Sequence, residues 1–114
     1  MDMQGNLIYA VDFDKTISMA KWPEVGEPNV EVIELLLKKK AAGCRLILNT
    51  CRTGKPLEDA LKFCNEYGLR FDAVNENLPE LIEAYKEDAR KISADYYLDD
   101  KAITPEMFIA NDRT

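Results

Sequence analysis

Two acidic pairs carry whatever chemistry this sequence can do. Asp12 and Asp14 flank Phe13 just after the apolar run LIYAV, and Asp99-Asp100 follows the run YYL. Two unit negative charges about 4 Å apart repel by roughly 4 kcal/mol at an effective dielectric near 20. Four carboxylates gathered in one place therefore either keep some protons or surround a cation. Oxygen donors with no histidine and no thiolate pattern beside them select a hard divalent ion. Mg²⁺ suits best, because it takes one or two carboxylates and keeps places for water and a phosphate. The plain alternative makes these acids solvated loop residues or helix caps, a reading that two pairs after two separate apolar runs weigh against.

The chain contains no histidine. Ser-His-Asp and Cys-His machinery, a phosphohistidine and the common histidine-ligated zinc and iron sites are excluded. Proton transfer near neutral pH falls to carboxylates, lysine, cysteine or tyrosine. Cys44, Cys51 and Cys64 form an odd set without C-x-x-C spacing, which fits free thiols in a reducing compartment. The net charge of −6 argues against nucleic acid as a partner. An anionic substrate would need local positive charge from a metal or a few placed cations. No apolar run approaches about 18 residues, and the first five residues lack the basic-then-apolar pattern of a leader. The expectation is a cytoplasmic protein with no membrane contact.

The elements that must position these residues alternate in hydrophobic period from end to end, the signature of an α/β domain. At 114 residues the chain fits one domain, 1–114, with one modest core. Residues 7–13 read as a strand buried on both faces. Residues 29–42 read as a helix with Val30, Ile33 and Leu37 on its stripe, Lys38 to Lys40 near its end and Gly43 as its stop. Residues 45–49 (RLILN) form the second strand, and 56–67 a helix carrying Leu57, Ala60, Leu61 and Cys64. Residues 71–74 make a short third strand. Asn77 can cap a following helix that turns Leu81, Ile82, Tyr85 and Ala89 inward. Residues 95–98 are the fourth strand, and Thr104-Pro105-Glu106 opens a last short helix. The sum is a small parallel sheet in a three-layer α/β/α, Rossmann-like arrangement with right-handed crossovers. Ligands of such sheets sit beyond the carboxyl ends of the strands, where Asp12, Asp14, Thr50, Asn75, Asp99 and Asp100 stand.

Taken in order, these residues resemble the haloacid dehalogenase-like (HAD) superfamily. Its opening motif, Asp-x-Asp-x-Thr after the first strand, is matched by Asp12-Phe13-Asp14-Lys15-Thr16. Its Ser or Thr ending the next strand is matched by Thr50, and its late acidic pair by Asp99-Asp100. The family's basic residue ahead of that pair has Lys91 as its best match, with Lys86 and Arg90 as alternatives. Many members carry glycine where this chain has Lys15. The larger members insert a cap domain after the first motif or after the third strand, and neither place has room for one here.

The resemblance implies a Mg²⁺-dependent phosphomonoester hydrolase acting on a phosphorylated substrate, either a small molecule or an exposed phosphate on a larger one. Asp12 would be the nucleophile, forming an aspartyl-phosphate. Asp14 would protonate the leaving oxygen and later take a proton from water, which asks for a carboxyl in crowded surroundings. Thr50, the Cys51 backbone N–H and Lys91 would bind the phosphoryl group. Mg²⁺ would be held by Asp12, the carbonyl of Asp14 and one acid of the last pair. Asp99 and Asp100 are adjacent, so only one is expected to face the ion; the family precedent favours Asp100, with Asp99 orienting a water or Lys91.

Several other residues admit two readings. Arg52 and Lys55 touch substrate or are solvated loop charges, Trp22 stacks on substrate or packs its loop, and Cys51 is a reactive thiol or, the favoured reading, a small buried filler. Arg52-Thr53-Gly54-Lys55 is no P-loop, since Asn49 replaces a required glycine and Pro56 the Ser or Thr. A non-catalytic phosphate- or Mg²⁺-binding module of the same fold is the alternative function. A phospho-accepting receiver domain fits less well, because its acceptor aspartate belongs where Asn75 stands.

Overall fold

Strand formation follows from short apolar runs, buried in β1 and β2 and exposed in the edge strand β4. The computed structural model describes residues 1–112, and in it Ile8–Val11 forms β1, Arg45–Leu48 β2, Ala73–Val74 β3 and Tyr96–Leu98 β4. All pairings are parallel, in the order β3-β2-β1-β4. Side chains alternate across the sheet, so Val11, Leu46 and Leu48 join one cluster and Ile8, Ala10 and Ile47 the other. Helix α1 (Val30–Ala41) and α2 (Gly54–Glu66) cover the first face through Ile33, Leu36, Ala60, Phe63 and Cys64. Helix α3 (Pro79–Tyr85) covers the second through Leu78 and Leu81. A last helix, α4 (Pro105–Asp112), follows β4, and the hydroxyl of Thr104 accepts from Met107 N across its first turn. The result is the expected three-layer, Rossmann-like α/β fold, and the chain between its elements carries no inserted cap among the described residues.

Local chemistry sets the element ends. The Asn29 side chain accepts from Val32 N to start α1, three lysines occupy its last turn, and Gly43 leaves it at φ +97. On α1 the buried pair is Ile33 and Leu36, while Val30, the first helical residue, is 53% exposed. Helix α3 is shorter than its pattern suggests. Lys86 takes a left-handed conformation at φ 60 and ends it, leaving Tyr85 exposed and Ala89 in the loop beyond. Asn77 does not cap α3, whose N-cap is Leu78. Its amide instead binds Asp88 Oδ1 at 2.9 Å and Ala89 O at 3.1 Å and accepts from Ser93 N at 2.7 Å, tying the following loop back to the sheet. No described helix is long and apolar enough to cross a membrane.

Candidate functional site

The strand ends are flush. Asp12 N donates to Leu98 O at 2.9 Å, Asn49 N to Val11 O at 2.8 Å and Asn75 N to Leu48 O at 2.7 Å. From β1 the chain steps outward to β2 and β3, then returns to place β4 on the other side. The reversal falls between β1 and β4, the two strands that end in acids, and there a cleft of about 290 Å³ opens. Asp12, Asp14, Asp99 and Asp100 line it with Asn49, Thr50, Cys51, Lys15 and Lys101. A larger hollow of about 390 Å³ between α1 and β4 is almost wholly apolar and has no carboxylate.

Asp12, Asp99 and Asp100 each offer an oxygen within 4.8 Å of the others. Burial pushes the Asp12 carboxyl up to about 6, and the neighbouring charges of Asp99 and Asp100 add to the rise against a lowering hydrogen bond from the Phe13 backbone. Both late acids bring an oxygen to the cluster although they are adjacent in the chain. Beyond β4 the alternation of a strand no longer applies: Lys101 N donates to Asp99 Oδ1 at 2.9 Å and Ala102 N to Asp99 O at 3.3 Å, so the chain turns and both carboxylates come to the same side. The donor set is oxygen only and anionic, which fits a hard divalent ion such as Mg²⁺.

Thr50 is fixed from both sides. Its backbone N–H donates to Asn75 Oδ1 at 2.7 Å, and its hydroxyl accepts from Arg52 N at 3.1 Å, leaving the O–H proton to point elsewhere. Asn75 holds this place at φ 54, a left-handed position that asparagine tolerates. Phe13 turns into the core, edge-on to Phe63 at 5.8 Å, and so sends its two flanking acids outward.

A solved structure of a conserved protein from Bacteroides thetaiotaomicron matches with a TM-score of 0.76 and 31% identity, over 96% of this chain and 93% of that one. The chain belongs to the family of that protein. The relationship spans both acid-bearing strand ends, so the architecture that brings them together is that of the family. No protein-family model matches the chain, and no curated protein does.

Four expectations about the site are corrected. Arg52 is no substrate ligand: its side chain is fully buried and its guanidinium binds Asp14 through two hydrogen bonds, Nη2 to Oδ1 at 2.7 Å and Nε to Oδ2 at 3.0 Å. The crowding of acids expected at Asp14 therefore falls on Asp12, while Asp14 faces a guanidinium. Lys91 does not line the cleft; its ammonium lies 5.6 Å from the centre of the Tyr97 ring. Asp95, just ahead of β4, is bound by Ile8 N at the opposite end of the sheet, so the residues leading into that strand approach from the wrong side. Lys86 and Arg90 pair with Glu83 and Asp88. The cations at the cleft are Lys15 and Lys101, which sequence order alone did not single out. Finally, Cys51 is exposed at the cleft and is no buried filler. The buried thiol is Cys64, pushed up to about 12 by burial.

Proposed function

We propose that this protein is a Mg²⁺-dependent phosphomonoester hydrolase of the HAD type, working through an aspartyl-phosphate on Asp12. The observation that carries the reading is the Asp12, Asp99, Asp100 cluster, each acid with an oxygen within 4.8 Å of the others, beside the oriented hydroxyl of Thr50. Asp12, Asp99 and Asp100 would hold the ion with the carbonyl of Asp14. When bound, Mg²⁺ neutralises the acids and the phosphoryl oxygens. Thr50, the Cys51 backbone N–H, Lys15 and Lys101 bind the phosphoryl group. An oxygen of Asp12 attacks phosphorus, the ester P–O bond breaks, and the departing oxygen takes a proton from Asp14. Water then attacks the same phosphorus, returns a proton to Asp14 and frees Asp12 and inorganic phosphate.

A second reading has its own support. The Asp14 carboxylate is occupied by Arg52, which favours a non-catalytic module that binds phosphate and Mg²⁺. Turnover of p-nitrophenyl phosphate separates the two. The hydrolase reading expects Mg²⁺-dependent release that EDTA abolishes and Asp12→Asn removes. Binding of phosphate and Mg²⁺ with no turnover selects the module. Hydrolysis that persists in both EDTA and Asp12→Asn refutes the assignment.

A further inference from the structure

Building on the hydrolase reading, we propose that Arg52 is a positioning residue that locks Asp14 and the Trp22–Glu24 loop tip into one unit, so that neither moves without the other. Every donor of the guanidinium is engaged inside the protein. Nε and Nη2 grip Asp14; Nη2 also donates to Glu24 O at 3.0 Å, and Nη1 to Pro23 O at 3.2 Å and Pro56 O at 3.1 Å. With five N–H groups in a rigid plane, arginine can satisfy this set and lysine, with three donors on one nitrogen, cannot. Two aromatic rings pack against it, the Phe13 and Trp22 ring centres each lying 4.8 Å from the guanidinium carbon.

What Arg52 joins gives the arrangement its function. Asp14 lines the cleft. The loop has its own internal bonds, Met19 N to Glu27 O at 2.6 Å and Glu24 N to Lys21 O at 2.8 Å. Among the described residues, the hydrogen bonds that tie its tip to the rest of the molecule run through Arg52. Trp22 rests one face on the guanidinium and is 56% exposed. Any rotation of Asp14 toward a substrate oxygen must break its two bonds to the guanidinium that also holds Pro23 and Glu24, so the loop position and the Asp14 position report one another.

Trp22 is the only tryptophan, so its emission and acrylamide quenching read the loop without requiring turnover. Asp14→Asn and Arg52→Lys, each checked by far-UV circular dichroism, should both shift the emission and raise quenching, and the double variant should change no more than the larger single one. With p-nitrophenyl phosphate and Mg²⁺, Arg52→Lys should lower kcat by about 10²-fold, the scale for a misplaced reacting group, with KM changed only a few-fold. If Arg52→Lys does not fold, Asp14→Asn alone decides through the fluorescence. An unmoved Trp22 signal in folded Asp14→Asn overturns the coupling, as does an Arg52→Lys enzyme that changes in KM alone. A wild-type protein that hydrolyses nothing overturns the proposed function and leaves the fluorescence coupling standing; an active wild type with unmoved fluorescence does the reverse.

Discussion

Replacing Asp12 by asparagine should stabilise the metal-free protein while destroying its activity. The folded Asp12 carboxyl is pushed up from the ordinary aspartate range to about 6, through burial first and the charges of Asp99 and Asp100 second. A folded-state pKa above the unfolded one means that the native protein binds the extra proton between about pH 4 and 6, so native stability falls as pH rises through that window. That rise corresponds to roughly 3 kcal/mol above pH 6, and solvent on the open side of the cleft brings this to about 2 kcal/mol. For a domain of this size that is a rise in Tm on the order of 10 °C for Asp12→Asn. The assay is thermal unfolding of wild type and Asp12→Asn in EDTA at about pH 7.5 and at about pH 4, repeated with excess Mg²⁺. The gain should be present at the higher pH, shrink at the lower one where wild-type Asp12 is already protonated, and vanish or reverse when Mg²⁺ neutralises the cluster. A lower Tm for the variant in EDTA at the higher pH, or a gain that ignores pH, would refute the reasoning.

Mg²⁺ should raise the wild-type melting temperature, by an amount equivalent to about 2.7 kcal/mol at a hundredfold excess over its Kd. Asp99→Asn and Asp100→Asn should each weaken that shift, because both carboxylates belong to the cluster; a titration followed by calorimetry checks this. Lys15→Gly should stabilise the fold by about 0.5 kcal/mol, the balance of left-handed strain at φ 63 and the greater chain entropy of glycine. It should also raise KM through loss of a cleft cation, a split that denaturant titration and steady-state kinetics read separately. Arg45 binds Asp2 at 3.1 Å and also Glu80. Hydrogen bonds from Asn6, Arg45 and Gln4 outweigh the burial of Asp2 and hold its carboxyl at about 2. Arg45→Met should therefore destabilise the protein at neutral pH, with the difference fading as pH falls from about 4 toward 2; urea unfolding across that range tests it.

Much of the fold was legible because each strand is a short apolar run and α1 and α2 each carry a glycine stop. Gly43 after α1 and Gly68 after α2 both adopt positive φ, and the acids and Thr50 stand where parallel strands end. The features that escaped depend on distance along the chain or on backbone conformation. Arg52 looked like a loop charge because its partners, Asp14, Pro23 and Glu24, lie 28 to 38 residues away. Lys86 ends α3 in a left-handed conformation that no glycine announced. The turn that brings Asp99 beside Asp100 is built by a side-chain bond to the backbone of Lys101, which an alternating strand pattern does not foresee. At Lys15 the sequence did hold a clue: its φ of 63 explains why glycine suits that place.

The most direct test of the account is to find the covalent intermediate. Wild-type protein incubated with p-nitrophenyl phosphate and Mg²⁺, quenched in acid and mapped by peptide mass spectrometry, should carry phosphate on Asp12, labile to hydroxylamine and lost in Asp12→Asn. Turnover with phosphate on another residue, or with none trapped even in an Asp14→Asn variant slowed at the second step, would contradict it.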